Sequence, residues 1–132
     1  GKILQPLEPG LYGLSNRLLD TPWPKVREGK AAMQRMVMGK ETIDPQILFT
    51  ILADGSLPPA EQLPDTGVGR KWERILSPLF ISSPDYGTRS STVLLYECSG
   101  RLQIMERTFI SKDKAAPLTP QHYNTRTYTF TV

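Results

Sequence analysis

The sequence has 132 residues, 39% of them hydrophobic and 22% charged, with a formal net charge of +3 at pH 7. This length fits one domain or part of a larger one, and the apolar fraction is enough for a modest core. Acidic residues are interspersed among the basic ones, as in residues 70–74, whereas proteins that bind nucleic acid usually cluster positive charge on one face. The mild, mixed charge therefore predicts no nucleic-acid partner.

Cysteine usage and hydropathy indicate the compartment. Cys98 is the single cysteine, so the chain cannot form an internal disulfide, and a reducing compartment is favoured. No stretch approaches the ~18 consecutive apolar residues of a membrane span, and the N-terminal residues lack the pattern of a signal peptide. We therefore expect a cytoplasmic protein without a membrane span. Because Gly1 is not a natural start, we also expect the sequence to be a piece of a longer protein.

The first predicted elements are a strand and a helix. Residues 11–15 alternate apolar and small side chains, a pattern typical of a strand. Thr21 and Pro22 indicate a helix start, because threonine caps free N–H groups and proline suits the first helical turn. This helix should end near Met38, with Gly39 as its stop.

A second helix and a long loop follow. Asp44 and Pro45 predict the start of the helix by the same reasoning. Residues 54–69 are rich in Pro, Gly and Asp and predict a loop, which at this length is more often functional or mobile than merely connecting. Residues 71–76 are expected to form a short helix. The expected apolar face of the second helix consists of Ile47, Leu48, Ile51 and Leu52.

The rest of the chain is predicted to form β-structure. Residues 92–96 are β-formers in nearly continuous apolar order, which favours burial on both faces of a sheet. Consecutive strands favour an antiparallel sheet, and the two earlier helices should lie on one of its faces, so the predicted fold class is α+β. The predicted strands are residues 79–82, 89–98, 102–110 and 125–132.

Several stretches resemble the C-terminal half of the transport and Golgi organization protein 2 family. They are Tyr-Gly-Leu-Ser-Asn at 12–16 with Asp-Thr-Pro-Trp at 20–23, the run at 83–93, the pair Glu106 and Arg107, and the run at 125–130. They occur in the family's order and at similar separations. The resemblance implies an N-terminal nucleophile hydrolase-like fold. Residues 1–132 would be the C-terminal part of that domain, half of a four-layer αββα sandwich, without the N-terminal half that has the Asn-Arg-Asp-Glu motif.

The same resemblance implies two functions. The first is the handling of a small amphipathic ligand, in haem trafficking or in acyl-lipid and coenzyme A metabolism, with a part in Golgi organisation and secretion. The alternative is an amidohydrolase or acyl-transfer enzyme whose nucleophile is an N-terminal Cys that this chain lacks. For that reaction the resemblance assigns Asn16 to the oxyanion hole and Arg89 to holding the site.

The candidate site residues have structural alternatives. The Asn16 side chain can donate to a developing oxyanion, but an Asn between a strand and a helix also forms Asx turns. Arg89 offers a planar fork to a carboxylate, and its alternative is an edge charge or a structural hydrogen bond. Thr88 and Ser90 provide hydroxyl groups for polar parts of a ligand, and Tyr86 belongs to the same stretch. These five residues form the predicted ligand-binding set.

Haem is the cofactor for which the chain has candidate ligands. His122 could be an axial ligand, although a lone His in a polar loop is more often simply exposed. One His and one Cys cannot supply the ligands of a zinc site. Cys98 is interpreted as structural, and Trp23 and Trp72 as side chains that fix helices to the core, with ligand stacking as the alternative for Trp72. The candidate methionine ligands, for which packing is the favoured role, are Met33, Met36, Met38 and Met105.

A half-sandwich would leave strand edges and an apolar sheet face uncovered. Unpaired edge N–H and C=O groups template pairing with another chain, and large exposed apolar patches usually mark interfaces. We therefore predict that the chain is not a solitary monomer. Either its own N-terminal half stays bound to it, or two copies pair through residues 92–96 and 102–109.

Overall fold

A computed structural model describes residues 4–38, 42–111, 113 and 116–132. Its three helices and three-stranded antiparallel sheet confirm the predicted α+β class. No helix in these ranges is long and apolar enough to cross a membrane. The elements are α1 (Pro24–Val37), α2 (Pro45–Leu52), a 3-10 turn (Ala60–Gln62), α3 (Arg70–Leu76), β1 (Ser90–Tyr96), β2 (Arg101–Phe109) and β3 (Tyr123–Thr131).

The start of α2 is the predicted one. Asp44 is the cap, and its Oδ1 accepts a hydrogen bond of 2.8 Å from the backbone N–H of Gln46. Pro45 occupies the first helical position, where its missing N–H costs nothing. The predicted short helix at residues 71–76 is also confirmed, beginning one residue earlier as α3.

The start of α1 lies two residues beyond the predicted one. Pro24, and not Pro22, is the first helical residue. The reason is steric, because a residue before proline is pushed out of the helical region, and Trp23 accordingly remains extended with ψ of 150°. The helix ends at Val37, and Gly39, the predicted stop, lies outside the described residues.

Two predicted strands do not form. Residues 11–15 alternate between half-buried and exposed, but no described strand pairs with them. Their polar groups bond elsewhere, since the carbonyl of Gly13 accepts from the N–H of Asp20 at 2.7 Å. In the segment predicted at residues 79–82, the described contacts amount to an isolated bridge between Ser82 and Gly87. The alternation of apolar and small side chains thus predicted an extended backbone, but a β-strand also needs a neighbouring strand with which to form hydrogen bonds.

The sheet has the order β1-β2-β3 and is antiparallel throughout. The central strand, β2, pairs with β1 over residues 102–108 and with β3 over residues 101–109. Among the described strands, the edges of the sheet are therefore β1 and β3. An edge pairing of two copies through residues 102–109 is ruled out, because both sides of this segment are already hydrogen-bonded within the sheet.

The core lies between α2 and one face of the sheet. Phe49 of α2, Val93 of β1 and Met105 of β2 are 2%, 4% and 5% exposed and form one cluster. The helix α1 packs in turn against α2. On the opposite face of the sheet, Leu94 and Tyr96 are 58% and 64% exposed. The helices cover one face of this strand, so the predicted burial on both faces is not seen within the described residues.

Arg107 joins α2 to the sheet. Its guanidinium carbon lies 4.0 Å from the ring centroid of Phe49 and 4.2 Å from that of Tyr123, and the guanidinium also donates to Oε1 of Gln46. Stacking of this kind is worth ~0.5–2 kcal/mol per ring. Within the described part of the chain, its Nε is buried without a hydrogen-bond partner. Arg107 therefore fixes the helix layer against β2 and β3.

Candidate ligand-binding site

A closed loop presents Asn16. The loop of residues 13–20 is joined at its base by two hydrogen bonds of 2.7 Å, from the N–H of Gly13 to Oδ1 of Asp20 and from the N–H of Asp20 to the carbonyl of Gly13. Asp20 has φ of 56°, a conformation that Asp tolerates better than most residues. Lys30 of α1 donates to the same Oδ1 at 2.8 Å. The loop is therefore anchored to α1.

The Asn16 side chain is exposed and forms no hydrogen bond with any described residue. Its backbone is held by a bond of 2.8 Å from the N–H of Arg17 to the carbonyl of Ser15, which makes a tight three-residue turn. An Asx turn, the structural alternative for Asn16, is thus not formed. The amide group therefore has no hydrogen-bond partner among the described residues.

Two cavities meet at Asn16 and Lys25. Each of these two residues lines both cavities. The first, called the cleft below, has a volume of about 170 Å³. The second, called the groove, has a volume of about 440 Å³ and lies between residues 11–16 and the helices α1 and α2. The walls of the cleft include Trp23, Pro64, Thr66, Val68, Glu73 and Leu76. The groove walls are mainly apolar and include Leu11, Tyr12, Leu14, Val26, Met33 and Leu79.

Lys25 is the half-buried cation of this site. Its Nζ donates a hydrogen bond of 2.9 Å to the carbonyl oxygen of Leu76, the last residue of α3. Desolvation by the surrounding residues lowers the pKa of the Lys25 ammonium from its ordinary value. Among the described residues, the ion pairs are Lys30–Asp20 and Arg101–Glu97, so no carboxylate neutralises Lys25.

The long loop between α2 and α3 closes one side of the cleft. Glu73 of α3 is 5% exposed, and its Oε1 accepts bonds of 2.6 Å from both the backbone N–H and the hydroxyl of Thr66. Farther back in the loop, Arg27 of α1 donates to Oε1 of Gln62 at 2.9 Å. The loop is therefore fastened at two points, once to α3 and once to α1.

Sequence reasoning missed Lys25 and Glu73. For Lys25 a signal existed, because it is the second residue of α1, and a positive charge in the first helical turn opposes the helix dipole. A lysine placed there is better explained by a partner outside the helix, here the carbonyl of Leu76. For Glu73 no signal was available, since its partner Thr66 lies in a loop whose path the sequence does not reveal.

The other predicted site residues lie after α3, and none of them lines the cleft or the groove. Tyr86 is 52% exposed and packs edge-on against Trp72, with ring centroids 6.5 Å apart. The hydroxyl oxygen of Thr88 accepts from the N–H of Ile81 at 2.9 Å. Arg89 and Ser90 are exposed at the start of β1. Their ligand-binding role stays a prediction, separate from the cavities at Asn16.

The candidate haem ligands are dispersed. Met36 and Met105 are 4% and 5% exposed and belong to the buried core, in agreement with a packing role, whereas Met33 lines the groove. His122 is half-buried, and its Nδ1 lies 3.1 Å from the hydroxyl of Thr119. Cys98 is free and exposed. Within the described ranges, no group of three or more His, Cys, Asp or Glu residues is arranged to hold a metal ion.

These observations define an α+β protein in which helices cover one face of an antiparallel sheet and an amphipathic site lies beside α1. A sequence profile of the family described as Transport and Golgi organisation 2 matches residues 1–111. The chain belongs to this family, and the resemblance drawn from its motifs is confirmed.

Similar proteins are found in mammals. The human Transport and Golgi organization protein 2 homolog is 33% identical over 133 residues, covering 96% of this chain and 46% of the human protein. The mouse Transport and Golgi organization 2 homolog is 32% identical, with the same coverage. The Bos taurus homolog is 38% identical over 132 residues, covering 94% and 45%. The chain thus spans about half the length of the curated relatives that it matches.

Proposed function

We propose that this protein binds a small amphipathic ligand in the groove and cleft that meet at Asn16 and Lys25. The observation that supports this is a mainly apolar groove of about 440 Å³ that shares two polar residues, Asn16 and Lys25, with the cleft. Binding sites for small molecules commonly combine apolar walls with a few polar groups that orient the ligand. The family resemblance narrows the candidates to haem and acyl-lipids or acyl-coenzyme A, handled in the cytoplasm.

Direct titration tests this proposal. Trp23 lines the cleft, and the 132 residues include two tryptophans, so replacing Trp72 by Phe leaves Trp23 as their single tryptophan, which can be excited selectively over the tyrosines. We expect haemin or a long-chain acyl-coenzyme A to change its fluorescence with saturation at micromolar concentrations or below. If neither ligand shows saturable binding even when it is titrated to concentrations well above micromolar, the proposed function is incorrect.

Blocking the groove locates the binding. Met33 lines the groove and is 36% exposed, so a Met33→Trp substitution would fill part of it. Met38→Trp is the matched control, because Met38 is 69% exposed at the end of the same helix and does not line the groove. We expect the first variant to weaken binding of a long-chain ligand at least about tenfold, a loss of 1.4 kcal/mol. Equal affinities of the two variants would contradict binding in the groove.

An amidohydrolase or acyl-transfer activity is the second candidate function. It is favoured by one observation: Asn16 lines both cavities, and its side-chain amide has no hydrogen-bond partner among the described residues. Such a group can donate to the oxyanion of an acyl-transfer intermediate. The nucleophile would be the N-terminal Cys implied by the resemblance. In the full-length protein, Asn16→Ala should reduce turnover of an N-acyl substrate about 10²–10³-fold, and a rate unchanged by either Asn16→Ala or Cys→Ala would remove this candidate.

We also propose that the open face of the sheet is covered by the N-terminal half of the full-length protein. This face carries four exposed apolar side chains, and the curated relatives are about twice as long as this chain. An apolar sheet face of this kind is usually buried in an interface. The four side chains, on β1 and β3, are Leu94, Tyr96, Tyr128 and Phe130.

A further inference from the structure

We infer that Lys25 holds the anionic head of the ligand, while the ligand's apolar chain lies in the groove. This inference rests on the proposed function, because it names the ligand class of the same site. Lys25 and Asn16 line both cavities, so a ligand that fills the groove contacts both residues.

The hydrogen bonds of Lys25 leave capacity for a ligand. A lysine ammonium has three donors. One is directed to the carbonyl of Leu76 at 2.9 Å, and no other described group accepts from it. The bond to Leu76 also holds the side chain in one direction, so a ligand would meet a positioned ammonium. Asn16 lines the same cavity, and its side-chain amide, which forms no hydrogen bond to described residues, is a second donor of the site.

The charges around the site single out Lys25. The second lysine of the groove, Lys30, is already paired with Asp20 at 2.8 Å. The one carboxylate among the residues lining the cleft belongs to Glu73, and its Oε1 is engaged by Thr66 in two bonds. Glu28 and Asp54 line a third cavity together with Lys25, but neither forms an ion pair with it. Lys25 is therefore partly desolvated without an ion pair among the described residues, and a partly buried cation is stabilised by an opposite charge. A ligand anion would supply the charge that the described residues do not.

The chemistry of lysine suits either of two anionic heads. Lysine binds carboxylate and phosphate alike, as a compact point charge, whereas planar bidentate recognition is typical of arginine. A neutral head such as an alcohol would accept a hydrogen bond from Lys25 but would not offset its charge. The inferred ligand class is therefore an amphiphile with one apolar chain and a carboxylate or phosphate head.

The test compares heads on one chain. Dodecanoate, dodecyl phosphate and dodecan-1-ol are titrated separately into the full-length protein and into its Lys25→Gln and Lys71→Gln variants. Lys71 is an exposed lysine of α3 that lines neither cavity, so its variant controls for the loss of one positive charge. Circular dichroism melts of the variants establish that each one is folded, and Lys25→Arg provides a second variant that keeps the charge.

The outcomes separate this inference from the proposed function. We expect the wild type and Lys71→Gln to bind at least one of the anions more tightly than the alcohol. Lys25→Gln should lose about ten- to a hundredfold in affinity for that anion, the effect of one charge-assisted hydrogen bond, and little for the alcohol. Lys25→Arg should retain most of the preference.

Equal binding of all three heads, unchanged in Lys25→Gln, overturns the role of Lys25 while the proposed function stands. No binding of any amphiphile by the wild type overturns both.

Discussion

The ammonium of Lys25 and the carbonyl oxygen of Leu76 are joined by a hydrogen bond of 2.9 Å, although the residues are 51 positions apart in the sequence. Lys25 lies in the first turn of α1, and Leu76 is the last residue of α3. The bond therefore satisfies a carbonyl that has no partner within its own helix. It also brings the two helices together at the junction of cleft and groove.

The first prediction concerns Glu73. Replacing it by Ala removes the acceptor for the N–H and hydroxyl of Thr66. We expect the free energy of unfolding to fall by about 1–3 kcal/mol, the cost of leaving part-buried polar groups unpaired. Urea denaturation measures the change, and Glu61→Ala, at an exposed position of the same loop, should alter stability by no more than about 0.5 kcal/mol. Equal effects of the two substitutions would show that the Thr66 contact does not fasten the loop.

The second prediction concerns pH. Hydrogen bonds from Lys30 and from the N–H of Gly13 lower the pKa of Asp20 below its ordinary value of 3.8. Because the folded state favours the charged carboxylate, Asp20 stabilises the fold above the unfolded-state pKa. That contribution disappears as pH falls through the lower, folded-state pKa.

The matched variant for the pH prediction is Asp20→Asn, because Asn also tolerates the positive φ of this position. Thermal melts from pH 7 down to about pH 2 should show a smaller loss of stability in the variant than in the wild type, as expected when a carboxylate with a lowered pKa is removed. If the two profiles are parallel throughout, the salt bridge to Lys30 contributes nothing measurable.

The third prediction concerns the stacked guanidinium of Arg107. Arg107→Lys keeps the charge but loses the planar group that lies over Phe49 and Tyr123. We expect the variant to be less stable by about 1–2 kcal/mol, because an ammonium cannot reproduce stacking on two rings. Arg70→Lys, at the exposed start of α3, should change stability little. Chemical denaturation decides the point, and an unaffected Arg107→Lys variant would refute a stabilising role for the stack.

The fourth prediction concerns the open sheet face. By light scattering, we expect the 132-residue chain alone to associate and not to behave as a 14.8 kDa monomer. Leu94→Lys should reduce this association, because it places a charge among the exposed apolar side chains of that face. Leu18→Lys, which alters a 78% exposed residue outside the sheet, should not. A chain that is monomeric without any substitution would contradict the interface.

Local signals explain what could be predicted from the sequence. Asp44 and Pro45 marked the start of α2 because capping acts over three or four residues. The β-forming runs predicted β1, β2 and β3 to within one to two residues. The core position of Phe49, the most buried residue of α2, was not predicted, because the expected apolar face consisted of Ile47, Leu48, Ile51 and Leu52.

The site depended on information that is not local. Asn16 could be named from its position after an extended segment, but its partners in the cavities, Lys25 and Glu73, are set by how α1 packs against the end of α3. The contact between Glu73 and Thr66 depends in the same way on the path of a long loop. Contacts of this kind leave no periodic pattern in a sequence.

The most direct test of the account is a nuclear magnetic resonance titration of isotope-labelled protein with dodecanoate. We expect the largest chemical-shift changes at the side-chain amide of Asn16, at Lys25 and at Met33, because these three residues line the groove. Met38, at the end of the same helix, should change little. Shifts confined to residues 86–90 or to the open face of the sheet, with Asn16 and Lys25 unaffected, would contradict the account.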